Sequence, residues 1–211
     1  MDFDFNALMR QVIIQAPPLL FALTVHELAH GYVAWRLGDP TAKSLGRLTL
    51  NPLKHLDPLG VLTFILTQFR FGWGKPVPVD LRYFRNPQRD MLLVALAGPA
   101  ANVVLAVASA ALVHLFVALP PFLPFFVLQP LVGMLAASVW INIMLAAFNC
   151  IPIPPLDGSR VLMGLLPPSA AHSFARVEPF GFLILLALLY TGVIGWILMP
   201  IIRFSNALLL N

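Results

Sequence analysis

The chain has 211 residues, of which 59% are hydrophobic and only 10% are Asp, Glu, Lys or Arg. Soluble domains carry about 25% charged residues, so this chain has too few charges to cover a soluble surface. From Met91 to Leu156, 66 consecutive residues carry no Asp, Glu, Lys or Arg, and two membrane spans need only about 20 residues each. The composition indicates an integral membrane protein. It excludes a cytosolic enzyme, a nucleic-acid-binding domain and, because Cys150 is the only cysteine, a disulfide-rich secreted domain.

Four membrane spans are predicted along the chain. The first is apolar but contains His26, Glu27 and His30. The second and third are uncharged, and the prolines at positions 120, 121 and 124 separate them, as expected for a turn. We therefore expect an all-α polytopic membrane protein, with a single domain over residues 1–211 and spans at residues 11–36, 90–119, 125–149 and 179–202.

The basic residues predict how these spans are oriented. Nine of the thirteen Lys and Arg residues lie between positions 36 and 89, whereas the turn after the second span has none. Lys and Arg collect in cytoplasmic loops, so we expect residues 37–89 to lie in the cytoplasm and both termini to be extracytoplasmic. The same rule accounts for the formal net charge of +4 without a nucleic-acid partner.

The long loop contains an apolar segment, Leu59 to Phe69, of 11 residues. It is too short to span a membrane as a helix, and its Val, Thr, Ile and Phe residues favour strands. Pro76 to Val79 is typical of extended structure at a sheet edge, because proline cannot donate to a ladder. These patterns predict a small membrane-associated β-element after the first span; an amphipathic linker is the alternative.

The first span carries the chemistry, in the motif H-E-x-x-H formed by His26, Glu27 and His30. Residues four apart lie on one face of a helix, so both imidazoles can bind one metal ion while Glu27 acts on a water at that metal. A charge at the centre of a bilayer costs about 2.5–3.5 kcal/mol, so Glu27 needs a partner or a function. A polar interhelical cluster would not explain the spacing of the two histidines.

A hydrolytic zinc site uses three protein ligands, and the third ligand must come from elsewhere in the chain. Asp157 is a candidate because it ends the charge-free stretch within the sequence NCIPIPPLDG, residues 149–158. Three prolines interrupt the helix there, and Gly158 permits a turn or close packing. The alternative is that Asp157 is the N-cap of the next helix, and the residues alone leave both possibilities open.

The chain resembles the site-2 protease family of intramembrane zinc metalloproteases. HELAH in a first span and NCIPIPPLDG after a later one carry the resemblance. Two further stretches fit small bacterial-type members without a PDZ or CBS domain: GWGKPVPV at residues 72–79 and AGPAAN at residues 97–102. The four motifs follow the family's order from position 26 to position 158.

The resemblance implies a site with one Zn²⁺ per chain. It implies that His26, His30 and Asp157 bind the zinc and that Glu27 is the catalytic acid/base. It further implies that the substrate is a transmembrane-helix protein, that the β-element receives it as an added strand, and that three residues help to position it: Asn149, Pro152 and Pro154.

Two polar residues have less certain roles. His55, in the long loop, is either a second-shell partner of the site or a solvated loop histidine. Asn102 either contacts the substrate or the site, or packs between helices.

The predicted function is zinc-dependent cleavage of a peptide bond within or near a transmembrane helix, as in regulated intramembrane proteolysis. His26 and His30 lie six to ten residues before Arg36, which places the active site near the cytoplasmic side of the cell membrane. The alternative is a non-proteolytic metal-binding or metal-transport protein. A carrier would need several metal sites along the spans, whereas this sequence has one cluster.

Overall fold

The computed structural model describes residues 5–66, 72–120 and 123–211. Within those ranges the protein is helical and has no strands. Four of the helices are long and apolar enough to cross a membrane, namely the first, fourth, fifth and ninth. In chain order the helices are α1 (Phe5–Arg36), α2 (Thr41–Ser44), α3 (Pro58–Leu66), α4 (Pro87–Ala118), α5 (Phe125–Asn149), α6 (Asp157–Leu165), α7 (Pro168–Ala175), α8 (Glu178–Tyr190) and α9 (Val193–Leu210).

Helices α1, α4 and α5 form the centre of the bundle, and α6 packs against α4. Along α4, Val94 and Asn102 contact His30 and Ala22 of α1, so these two helices are antiparallel. Asn102 and Ser109 of α4 contact Asn142 and Ser138 of α5, so this pair is antiparallel as well. The ring of His114, near the end of α4, contacts the Leu209 carbonyl near the end of α9. The start of α1 and the end of α9 therefore lie at one end of the bundle, and the basic loop lies at the other.

The outer faces of the bundle are apolar. Large side chains such as Phe125, Phe126, Tyr190, Trp196 and Phe204 are exposed on the helices, which is normal where lipid rather than water is the solvent. The interior holds a cluster from α4, α5, α8, α9 and the segment before α6, with these buried members: Ala106, Ile143, Ile151, Leu156, Leu185, Ile194, Leu198 and Ile202. The four long apolar helices and these exposed apolar faces favour a multi-pass membrane protein, as expected.

The fourth span, predicted as one helix over residues 179–202, is divided in the structure. Helix α8 ends at Tyr190, Gly192 adopts φ +76°, and α9 then runs to Leu210. A left-handed glycine is a common helix terminator because it lacks the Cβ that penalises this conformation. Hydropathy does not detect such a break, since both sides of it are apolar.

The predicted β-element at Leu59 to Phe69 is wrong for the part that the structure describes. Residues up to Leu66 form α3, and Phe69 lies outside the described residues. The Asp57 carboxylate accepts hydrogen bonds from the N–H groups of Leu59 and Gly60, each at 2.9 Å. This cap, followed by Pro58 in the first turn, starts a helix, and the capping outweighs the weak preference of these side chains for strands.

The loop retains one trace of sheet pairing. An isolated antiparallel bridge joins Leu56 to Gly74, and residues 75–80 then form no regular secondary structure. This segment returns to α1, where it meets the site described below.

Helix α8 is held against the turn before α6 by a close approach at Gly181. A Cβ at Gly181 would overlap the carbonyl oxygen of the buried Pro154, whereas a Cβ at Gly195 of α9 would meet nothing within 4 Å. We predict that Gly181→Ala lowers the thermal midpoint of the purified protein in detergent, because backbone must shift to admit the methyl group. Gly195→Ala is the control and should leave the midpoint unchanged or raise it. Equal midpoints for the two variants would contradict this packing.

Candidate metal centre

Three side chains from two distant parts of the chain converge in the bundle. The Nε2 atoms of His26 and His30 are 3.0 Å apart, and Oδ2 of Asp157 lies 3.2 Å from each of them. Both histidines are buried and Asp157 is partly buried. Over the part of the chain that the structure describes, this is the one group of His, Cys, Asp or Glu residues with metal-binding geometry.

The donor set fits a zinc ion. In a tetrahedral zinc site with bonds of about 2.0–2.1 Å to nitrogen and oxygen, ligand atoms stand roughly 3.3 Å apart. The observed separations of 3.0–3.2 Å are close to that edge length. The buried Oδ2 of Asp157 has no hydrogen-bond partner elsewhere in the bundle, so it faces the two imidazole rings alone. Two imidazoles and a carboxylate also match the ligand types of hydrolytic zinc sites.

Asp157 reaches the histidines because α6 begins at this residue. Leu156 is the N-cap of α6, so Asp157 is not the capping residue and its carboxylate is free to face α1. Gly158 packs directly on the end of α5, where a Cβ would overlap the Cys150 carbonyl oxygen. The close packing expected of Gly158 is therefore present, and it fixes the start of α6 next to the histidines.

Each histidine is oriented by a partner on α4. Nδ1 of His30 lies 2.7 Å from the Val94 carbonyl oxygen, and Nδ1 of His26 lies 2.6 Å from Oδ1 of Asn102. A carbonyl oxygen can only accept, so Nδ1 of His30 must carry the hydrogen. In the neutral ring Nε2 then presents a lone pair, which is the form that binds a metal. Asn102 thus joins α1 to α4 and contacts the site through His26.

The two imidazoles lie directly over Gly98 of α4. A Cβ at Gly98 would overlap Nε2 of His30 and approach Cε1 of His26 within 2.6 Å. Any side chain at this position would push the rings away from Asp157. The AGPAAN sequence therefore supplies two separate contacts to the site, a glycine beneath the rings and an amide beside one of them.

Glu27 faces the loop segment at residues 75–80. Its Oε2 accepts a hydrogen bond of 2.8 Å from the Val77 N–H. Arg47 holds this segment from the other side, because its guanidinium donates to the carbonyl oxygens of Lys75 and Pro76 at 2.7 and 3.3 Å. One oxygen of the Glu27 carboxylate is thus fixed by backbone, and the loop is fastened over the turn of α1 that carries the motif.

His55 supports the same segment from within the loop. It is 2% exposed, its Nε2 contacts the Thr49 carbonyl oxygen at 2.9 Å, and its own carbonyl accepts from Lys75 N–H at 2.8 Å. It is therefore a buried loop residue rather than a solvated one. These bonds lead to Glu27 through the backbone of Lys75 to Val77.

The residues expected to position a substrate lie at the turn between α5 and α6. Asn149 is half-buried and donates to the Leu145 carbonyl oxygen of its own helix at 3.0 Å. Pro152 is exposed, whereas Pro154 is buried against Gly181. Their contact with a substrate stays a prediction.

Sequence reasoning did not identify four contributors to the site. Val77 and Val94 act through backbone atoms, so their side chains give no signal. Arg47 looks like any loop arginine until its partners are known. Asn142, which is buried and contacts Asn102 at 2.7 Å, could have been noticed as an amide in a charge-free span.

Comparison with known proteins agrees with this geometry. The family model described as Peptidase family M50 matches residues 125–191, which include α5 and Asp157. "Putative zinc metalloprotease YwhC" of Bacillus subtilis is 39% identical over 200 residues, covering 88% of this chain and 84% of the relative. "Putative zinc metalloprotease Rip2" of Mycolicibacterium smegmatis is 35% identical over 180 residues, covering 83% of this chain and 66% of that relative.

No solved structure gives a significant match to this chain. Two matches show the family. The B. subtilis relative aligns with this chain over most of both sequences, and the family model matches the part from α5 to α8. The chain therefore belongs to peptidase family M50, the site-2 protease family of zinc metalloproteases.

Proposed function

We propose that this protein is a zinc-dependent intramembrane endopeptidase that cleaves a peptide bond within or near a transmembrane helix of a membrane-protein substrate. The observation that carries the proposal is the convergence of three side chains at 3.0–3.2 Å. His26 and His30 lie on α1, which is able to span a membrane and also carries Glu27, and Asp157 joins them from the start of α6. Such an arrangement suits regulated intramembrane proteolysis.

In this proposal His26, His30 and Asp157 hold one Zn²⁺. A bound zinc ion polarises a peptide carbonyl and lowers the pKa of water toward 7. The protein's own contribution is to present two imidazole lone pairs and one carboxylate oxygen at fixed separations, because the Nδ1 atoms are already engaged by α4. Preset ligands of this kind reorganise little when a metal binds.

Glu27 is the proposed acid/base. It accepts a proton from the attacking water and passes that proton to the leaving amine. The Val77 N–H occupies Oε2, which leaves Oε1 for the proton and keeps the carboxylate from rotating. The loop segment from Lys75 to Val77, which Arg47 holds, thereby fixes the position from which Glu27 accepts the proton.

A substrate helix conceals its carbonyl groups in its own hydrogen bonds, so it must unwind locally before cleavage. We place the unwound stretch at the turn between α5 and α6, which leads directly into Asp157. There Asn149 and the exposed Pro152 can meet it, while the buried Pro154 holds the turn against α8.

The orientation in the membrane follows from the charges and the bundle. The basic loop lies at one end of the bundle, and the start of α1 and the end of α9 lie at the other. By the positive-inside rule the loop end is cytoplasmic and both of these helix ends are extracytoplasmic. The histidines are then about 10–15 Å from the cytoplasmic end of α1, at 1.5 Å per residue.

The proposal is tested by reconstituting the protein with a single-span reporter helix flanked by two soluble tags. We predict that Glu27→Gln lowers the cleavage rate by about 10²–10⁴-fold and retains zinc, because Glu27 is not a ligand. Asp157→Ala should lose both cleavage and zinc.

The control for this experiment is Glu178→Gln, which changes the chain's other glutamate, an exposed residue at the start of α8. It should cleave at the wild-type rate. Zinc uptake into the vesicles by both wild type and Glu27→Gln, without cleavage of the reporter, would contradict the proposal and favour a metal carrier.

A second prediction concerns Gly98, the α4 residue against which both imidazole rings lie. Gly98→Ala should reduce the zinc bound per chain well below one, because the added methyl group overlaps the His30 ring. Gly133→Ala is a matched change in α5, where a Cβ would make only ordinary contacts at 3.8 Å, and it should bind zinc normally. Metal analysis after equilibrium dialysis measures both. Full zinc occupancy in Gly98→Ala would show that the rings do not sit over this residue.

A further inference from the structure

A chain of buried hydrogen bonds leads from His26 away from the metal centre. Asn102 accepts from the His26 ring through Oδ1 and donates through Nδ2 to Oδ1 of Asn142 at 2.7 Å. Asn142 donates in turn to the Ser138 carbonyl oxygen at 2.9 Å. Both asparagines are 0% exposed, so the chain crosses the contact between α4 and α5 without water.

The direction of each hydrogen bond in this series is set by the Ser138 carbonyl oxygen at its end. The Ser138 carbonyl oxygen can only accept, so the NH₂ group of Asn142 must face it and Oδ1 of Asn142 must face Asn102. The NH₂ group of Asn102 then donates to Asn142, and its own Oδ1 is left facing His26. Nδ1 of His26 must therefore carry the hydrogen, and in the neutral ring Nε2 has the lone pair.

One other contact supports the same orientation of Asn102, but more weakly. The Ala22 carbonyl oxygen lies 3.4 Å from Nδ2 of Asn102, against 2.7 Å for Asn142. A rotated Asn102 amide would bring its oxygen against both acceptors and its NH₂ group against His26. That arrangement favours the His26 tautomer with hydrogen on Nε2, which cannot bind a metal through that atom.

We propose that Asn142 is a positioning residue that fixes the metal-binding tautomer of His26 through Asn102. The inference rests on the proposed function, since it concerns a residue that would hold zinc. The two histidines then differ in how they are controlled. A backbone carbonyl sets the tautomer of His30 directly. The tautomer of His26 depends on the side chains of Asn102 and Asn142, so only the control of His26 can be removed by substitution.

The test is the zinc affinity of the purified protein, measured by competition with a chelator. Asn142→Leu removes the acceptor at similar size and should weaken zinc binding about tenfold, the lower end of the range for residues that orient metal ligands. Asn142→Asp in its neutral form keeps an oxygen that accepts from Asn102 and an O–H that donates to the Ser138 carbonyl, so it should stay within about threefold of wild type. Ser109→Ala removes the hydroxyl that contacts the Ser138 hydroxyl. It leaves both asparagines in place and should bind zinc as wild type does.

A double-mutant cycle separates positioning from general packing. In an Asn102→Ala background, Asn142→Leu should cause no further loss of zinc affinity, because the link to His26 is already cut. If Asn142→Leu fails to fold, Asn142→Ser replaces it. The serine hydroxyl is too short for Asn102 and bonds back to the carbonyl four residues earlier, so the same loss is expected.

Two outcomes would overturn the inference. Wild-type zinc affinity in folded Asn142→Leu or Asn142→Ser would show that Asn102 keeps its orientation alone. An equal loss in the wild-type and Asn102→Ala backgrounds would show that Asn142 only stabilises the bundle. Both outcomes leave the proposed function standing, whereas a wild-type protein that binds no zinc would overturn the proposed function and this inference with it.

Discussion

The approach of two imidazole nitrogens and one carboxylate oxygen to 3.0–3.2 Å of one another is the interaction on which the rest of this bundle depends. Polar groups inside an apolar bundle must be satisfied there, because lipid provides no hydrogen bonds. Each histidine therefore needs a partner for Nδ1, and α4 provides both. The rings can lie against α4 only because Gly98 has no side chain. Asp157 reaches them only because Gly158 lets α6 start on the end of α5. The close contacts among α1, α4, α5 and α6 thus follow from one site.

The loop after α1 belongs to the same arrangement. It leaves the bundle at Arg36 and returns as a segment whose Val77 N–H donates to Glu27. Arg47 and His55 are buried, and both form hydrogen bonds to the loop backbone. Buried polar side chains of this kind hold a long loop in one conformation, since each lost bond would leave an unpaired group. A backbone donor held in this way can fix a carboxylate without adding another charge to the bundle.

Much of the fold and of the site could be predicted from sequence, because the signals concerned are local or rare. Runs of apolar residues predict the spans, and the spacing of His26 and His30 on a helix predicts that they face one point. The scarcity of acids next to a charge-free stretch makes Asp157 a candidate ligand. Only the structure, in which Leu156 is the N-cap of α6, separates that role from a capping role. The predicted β-element is wrong because the strand preferences of a few side chains are weaker than the helix cap formed by Asp57 and Pro58. The break at Gly192 and the Val77 donor are backbone features, and apolar or extended sequence does not reveal them.

The most direct test of the central claim is X-ray absorption spectroscopy at the zinc edge of the zinc-loaded protein. We predict two imidazole ligands and oxygen ligands, with no sulfur, and the loss of one imidazole in His30→Ala. Cys150 is exposed and lies within the turn that leads to Asp157, so a sulfur ligand is the informative alternative. A zinc–sulfur distance near 2.3 Å, or a spectrum with fewer than two imidazoles in the wild-type protein, would contradict the assignment of His26, His30 and Asp157 as the zinc ligands.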